Sequence, residues 1–241
     1  MNRLTEIANK YNTDKGTNSI CANNGPGHGF TEFYYKFFKD IKKPTILELG
    51  VYEGASIKMF NEFYNGNCEI YCVDIDNKCD VSYIGDNIHF HILDLGNEKQ
   101  LSNFLQMMND NNVRFDIILD DASHIIYHQM IAYSFLRELL KKDGMYIIED
   151  LHTCFGDIWP YNKNEKTTTL DFFVNFKPYH RFGKEMNEKL LSEIKTVELF
   201  SNDNNSGSTT LNGIRKNRSI TAVIKLKDKN EQQMLRRNNN T

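Results

Sequence analysis

Five short runs of β-branched and large apolar residues punctuate the chain: Thr45–Leu49, Glu69–Val73, Ile88–Leu93, Phe115–Leu119 and Met145–Ile148. Runs of this length between turn residues read as buried strands, and helix-period segments separate them. Ile57, Phe60 and Tyr64 mark a helix over Gly54–Tyr64. Further helices are expected over Glu98–Met108 and Tyr127–Leu140, the second ended by Asp143-Gly144. This alternation specifies a mostly parallel sheet with helices on both faces. Two of the strands close on acidic runs, Asp120-Asp121-Ala122-Ser123-His124 and Glu149-Asp150-Leu151-His152. In an open α/β sheet the carboxyl ends of the strands are where ligands bind. Carboxylates delivered there by two strands look like a cage for a hard divalent cation.

The chain's 241 residues suit one large α/β domain, or one domain with extensions. A formal charge of -3 gives no general electrostatic case for nucleic acid. No apolar run is long enough to span a membrane, and residues 1–10 lack an apolar signal core, so a cytoplasmic location is expected. The five cysteines, Cys21, Cys68, Cys72, Cys79 and Cys154, include no Cys-x-x-Cys pair, which argues against a disulfide framework or a structural zinc. Helices are expected at Arg3–Tyr11 and Phe30–Ile41, with a loop over Asn12–Gly29. Leu151–His180 is irregular and aromatic, and suits a cover for the active edge. A helix follows at Glu185–Ile194. The strands Thr196–Phe200 and Ser219–Leu226 then flank a polar hairpin over Ser201–Arg218. The tail, 227–241, reads as disordered.

The first strand runs into Glu48-Leu49-Gly50-Val51-Tyr52-Glu53-Gly54. A dinucleotide fingerprint would need glycine at 52 and at 55, where tyrosine and alanine stand, so nicotinamide and flavin are disfavoured. The turn resembles motif I of class I S-adenosylmethionine-dependent methyltransferases, with Gly50 and Gly54 matching and the middle glycine absent. That resemblance implies a Rossmann-like, mostly parallel seven-stranded sheet with an antiparallel last strand. It places Glu48, Gly50 and Gly54 around the amino-acid part of the cofactor, Asp74 on its ribose, Asp94 near its adenine and Asp120 near its methionine. Any one acid at a strand end could be a solvated cap; the ordered series carries the resemblance.

Four further motifs narrow it: Tyr11-Asn12-Thr13-Asp14-Lys15-Gly16, His28-Gly29-Phe30-Thr31-Glu32-Phe33-Tyr34, Asp120-Asp121-Ala122-Ser123-His124 with His128-Gln129, and Glu149-Asp150. Together they resemble the metal-dependent sugar O-methyltransferases of the mycinamicin and macrocin type, with related capsule-sugar enzymes. The resemblance implies magnesium on Asp121, Glu149 and Asp150, His124 as general base, and Lys15 and Thr31 near the cofactor. It implies residues 1–43 as a helical cap contributing to the cofactor site and 44–226 as the methyltransferase domain. It also implies a sugar or nucleotide-sugar substrate, and association into a homo-oligomer.

The chemistry is consistent with that transfer. Hard oxygen ligands suit Mg²⁺ or Ca²⁺ better than zinc. A sugar hydroxyl is a poor nucleophile until a metal stabilises its alkoxide and a base takes its proton. His152 is a reserve base, and His128 reads as a packing residue. The bland alternative makes Asp121 or Asp150 the cap of the next helix. Another metal enzyme, a hydroxylase or hydrolase, could use His124, Asp121 and His152 but leaves Glu149 and Asp150 unexplained. A non-catalytic binding module would need no base beside the metal.

Overall fold

The computed structural model describes residues 1–18, 27–156, 158–201, 210–211, 214–215, 219–228 and 231. Helices α1 (Arg3–Lys10) and α2 (Phe30–Phe38) precede β1 (Thr45–Leu49), α3 (Ala55–Phe63), β2 (Glu69–Asp74), β3 (Ile88–Ile92), α4 (Glu98–Asp110), β4 (Phe115–Asp120) and α5 (Ile126–Leu136). Then come β5 (Leu140–Ile148), α6 (Thr169–Asn175), α7 (Lys184–Glu193) and β6 (Ile194–Ser201). The strands β7 (Thr210–Leu211) and β8 (Ile214–Arg215) pair with each other, and β9 (Ile220–Leu226) ends the order. The seven-stranded sheet runs β3-β2-β1-β4-β5-β9-β6. β9 is antiparallel to both its neighbours, and the other pairings are parallel. The chain leaves β1 for β2 and β3 on one side and returns to β4 on the other. That switch point opens a crevice over the carboxyl ends of β1 and β4.

Both sheet faces are buried, as a parallel sheet requires. Leu47, Ile118, Tyr146 and Ile148 face a core shared with α4, α5 and α6. Ile46, Ile117, Leu119 and Ile147 face a second core with α1, α2 and α3. Side chains alternate along each strand, and this parity decides where the acids at the strand ends point. Among the described residues, no helix is long and apolar enough to cross a membrane.

The boundary between α5 and β5 differs from the sequence expectation. The α5 helix stops at Leu136, a 3-10 turn covers Arg137–Leu139, and β5 already begins at Leu140. Asp143-Gly144 therefore lies within β5 and does not end a helix. The β4–β5 pairing shifts register between Phe115 and Ile117, and Asp143 has φ +65°. A left-handed residue beside a glycine lets the strand bulge there without breaking. The stretch 151–180 also holds more order than expected, because a reciprocal Thr168–Asp171 capping box starts α6. The expectations for Cys21, for most of the 201–218 hairpin and for most of the tail lie outside the described residues. Of the tail, Glu231 is tied to Lys195 at 2.9 Å.

Candidate active site

A cavity of about 770 Å³ lies over the carboxyl ends of β1, β2 and β4, a volume suited to a cofactor-sized ligand. Its floor is the turn from β1 to α3. Gly50 (φ +89°) and Gly54 (φ +72°) are both left-handed. A Cβ on Gly50 would lie 2.5 Å from the Asp121 carbonyl oxygen, so only glycine lets β1 and β4 close on each other here. Tyr52, where a third glycine was missing, also takes a positive φ (+51°), with its ring exposed. Asp74 lines the cavity. Its Oδ2 accepts hydrogen bonds from the N–H groups of Val51 (2.8 Å) and Tyr52 (3.2 Å), which ties β2 to the turn. Asp94 lines the same wall and accepts from Gly96 N–H at 2.9 Å.

The far wall carries the acidic group. Asp121, His124 and Asp150 each offer a donor atom within 4.8 Å of the others. His124 Nε2 lies 3.7 Å from Asp150 Oδ2, and His152 Nδ1 lies 3.7 Å from Asp150 Oδ1. Burial would raise the Asp150 pKa, but His28, His124, His152 and the donating Ser219 hydroxyl hold it below the usual carboxylate range. His124 (φ +55°) and Asp150 (φ +53°) both sit in the left-handed region, where a side chain costs energy that surrounding contacts must supply. For His124 the main support is Asn162. Its Nδ2 donates to the carbonyls of His124 and Thr153 (both 2.9 Å), and its Oδ1 accepts from Ile126 N–H (2.9 Å). Trp159 sets its ring edge-on to His124, 6.1 Å between centroids.

Three expected site residues lie elsewhere. Asp120 follows Leu119, so the pleat turns it away from the α1–α3 core and onto the α5 side, near Tyr146. It is buried there, and burial pushes its carboxyl up to about 7. Thr31 is buried in the contact of α2 with α1, where its hydroxyl donates to Thr5 Oγ1. Glu48 is buried beneath the turn, and burial, opposed by the Lys15 ammonium and the Ser56 hydroxyl, pushes it up to about 7. Its oxygens make no ordinary hydrogen bond.

Lys15 lines the cavity, but its ammonium points into the acidic group, pairing with Asp121 and with Glu149 Oε2 (2.8 Å). Tyr34 donates to the other Glu149 oxygen. Glu149 thus stands behind the open group of Asp121, His124 and Asp150, with both oxygens engaged. The sequence reading missed Asn162, Ser219 and the use of Tyr34. Only Tyr34 carried a signal, as the last residue of its motif.

No protein-family model matches the sequence. The chain is 28% identical over 166 residues to mycinamicin VI 2''-O-methyltransferase of Micromonospora griseorubida, covering 65% of this chain and 37% of that protein. It is 31% identical over 140 residues to 8-demethyl-8-(2-methoxy-alpha-L-rhamnosyl)-tetracenomycin-C 3'-O-methyltransferase of Streptomyces olivaceus, covering 54% and 34%. It is 26% identical over 175 residues to demethylmacrocin O-methyltransferase of Streptomyces fradiae, covering 65% and 38%. The matches thus span little more than a third of these relatives' length. Among solved structures, the MycE methyltransferase from the mycinamycin biosynthetic pathway, in complex with Mg and SAH, superposes with a TM-score of 0.65 at 22% identity, covering 93% of this chain and 55% of that one. The chain therefore has the fold of class I S-adenosylmethionine-dependent methyltransferases, and its relatives in sequence are sugar O-methyltransferases of the mycinamicin and macrocin type.

Proposed function

We propose that the chain is an S-adenosylmethionine-dependent, Mg²⁺-dependent O-methyltransferase acting on a sugar hydroxyl. The observation that carries this reading is one cavity with two walls: Gly50, Asp74 and Asp94 on one side, and Asp121, His124 and Asp150 on the other. On the first wall, Asp74 offers carboxylate oxygens to a ribose, and the glycine turn admits the amino-acid end of the donor. On the second, donor atoms within 4.8 Å match the roughly 4–5 Å that separates ligands across a hard divalent cation. Asp121 and Asp150 would hold that cation, with Glu149 behind them. When bound, the donor supplies a methyl group and the cation supplies Lewis acidity to the acceptor hydroxyl. His124, steadied by Asn162 and facing Asp150, takes the hydroxyl proton. Asp150 keeps the imidazole oriented, and the fixed walls hold donor and acceptor in line.

The acceptor reading, a nucleotide sugar or a glycan, is supported by a sequence relative whose name specifies a rhamnosyl group on tetracenomycin C. A capsular glycan rests on the motif resemblance alone. Residues 1–43 serve as a cap, supplying Lys15 and Tyr34. Four free cysteines among the described residues suit a reducing, cytoplasmic setting. An iron hydroxylase would want two histidines and one carboxylate, and the close-set group here has the opposite ratio. Calorimetry with S-adenosylmethionine, with and without EDTA, joined to a mass-spectrometric methyl-transfer screen over nucleotide sugars and glycans, tests the proposal. Absence of donor binding refutes it. Transfer that persists in EDTA refutes the metal's part in it.

A further inference from the structure

The Lys15 side chain is 2% exposed and is carried by the loop between α1 and α2. Its ammonium bridges Asp121 and Glu149, acids from two different strands. Desolvation would strip its proton, but the two carboxylates outweigh burial and keep it charged. Both Glu149 oxygens are engaged, Lys15 on one and Tyr34 on the other. Asp121 differs: it belongs both to the Lys15 pair and to the open group with His124 and Asp150. Among the described residues, it is the carboxylate shared between a built-in cation and the candidate cation site.

We propose that Lys15 is an internal counter-ion that holds Asp121 and Glu149 in place when no divalent metal is bound, and yields Asp121 to the metal when it enters. This deepens the metal-dependent reading above and rests on it. Without some cation, the buried Glu149 and the partly buried Asp121 on the same ammonium repel each other and keep their desolvation cost. Lys15 removes that repulsion at the expense of metal affinity, because it competes for Asp121 and adds a like charge beside the ion. Its long stem lets the ammonium withdraw toward Glu149 without moving the backbone.

The test is Lys15→Met, which keeps the apolar stem and deletes the charge. Melting temperature and Mg²⁺ affinity are measured on the full chain, the latter by calorimetry. The variant is expected to melt well below wild type in EDTA and to recover most of that loss in saturating Mg²⁺. Its Mg²⁺ dissociation constant is expected to be at least ten-fold tighter, since a ligand that replaces a missing stabiliser shows it as linkage. A lysine with a merely structural role would lower the melting temperature equally with and without Mg²⁺, and that result overturns the proposal. So does weaker or unchanged Mg²⁺ binding by a folded variant. If the variant fails to fold in either condition, the wild type decides, through the ¹⁵N resonance of the buried Lys15 ammonium. A shift on adding Mg²⁺ supports the proposal, and an unmoved signal overturns it. A wild type that takes up no Mg²⁺ by any of these measures instead overturns the metal reading itself, and the proposal with it.

Discussion

Asn162→Ala tests how the base is held. Asn162 is 3% exposed and its side chain makes three hydrogen bonds of 2.9 Å, all to backbone groups: His124 and Thr153 after β4 and β5, and Ile126 at the start of α5. A buried hydrogen bond contributes a net ~0.5–1.5 kcal/mol, and stranding its partner costs more. Removing all three, with some water entering the gap, should cost about 3 kcal/mol. For a chain of this size that lowers the melting temperature by roughly 6–12 °C. The catalytic effect follows from the His124 backbone, whose φ of +55° is held by the bond to its carbonyl. Release would let the loop relax and shift the imidazole, and a misplacement of about 1 Å costs on the order of 100-fold in rate. The turnover number should therefore fall 10- to 100-fold, while donor affinity stays within about two-fold, since the Gly50 and Asp74 wall is untouched. Asn162→Asp is nearly isosteric, yet it sets an oxygen against two carbonyl oxygens and should be at least as damaging. Denaturant melts, calorimetry with the donor, and steady-state kinetics read these separately. Donor affinity falling in step with turnover would refute the argument, as would an unchanged rate in a destabilised protein.

Three further expectations concern the strand ends. Glu48 has its carboxyl raised from 4.5 to about 7, so between those pH values the unfolded chain releases a proton that the native chain keeps, and stability falls as pH rises. At about 1.36 kcal/mol per pH unit, the cost above pH 7 is about 3 kcal/mol; Glu48→Gln should relieve it at pH 8 and change little at pH 4, and a pH-independent difference in urea midpoints would contradict this. Gly50→Ala forces a Cβ to within 2.5 Å of the Asp121 carbonyl in a left-handed backbone, so donor binding by calorimetry should be lost along with about 2–3 kcal/mol of stability; donor affinity within two-fold of wild type would count against the glycine turn as a donor site. His124→Asn keeps a residue tolerant of the left-handed region and should lower turnover ~100-fold or more with donor affinity and melting temperature near wild type; unchanged turnover in the folded variant would remove His124 as the base.

Period and punctuation made β1 to β4 legible, because short apolar runs between turn residues have few other readings. They could not say which face each strand presents to which helices. In a sheet buried on both sides, hydrophobicity carries no parity. Asp120, which the family resemblance set near the donor's methionine, shares the Ile118 face of β4 and lies near Tyr146. The start of β5 was hidden for a different reason. Lys141, Lys142, Asp143 and Gly144 match the end of a helix as well as a bulged strand, and only pairing of Leu140 with Phe115 separates the two. Asn162 and Tyr34 act across 38 and 115 residues of sequence, a distance at which local pattern is silent.

The N-terminal motifs were legible as belonging to the site but not as to what they do there. The family resemblance implied contact with the donor, and Thr31 instead fastens α2 to α1. Lys15 and Tyr34 reach past the donor wall to the carboxylates at the ends of β4 and β5. The reason lies in the fold. Glu149 follows Ile148, so the pleat turns it from the α5 face toward the core covered by α1 and α2, where water does not reach. A carboxylate turned that way needs a donor from the covering layer or must give up its charge. A chain cut back to Pro44 would keep Asp121, Glu149 and Asp150 on their strand ends, yet leave Glu149 without the Lys15 ammonium and the Tyr34 phenol. The acids that make the edge a candidate metal site are thus partnered and ordered by the layer that precedes the sheet in sequence, whose Lys15 opposes the rise that burial imposes on the carboxyls of Glu149 and Asp121.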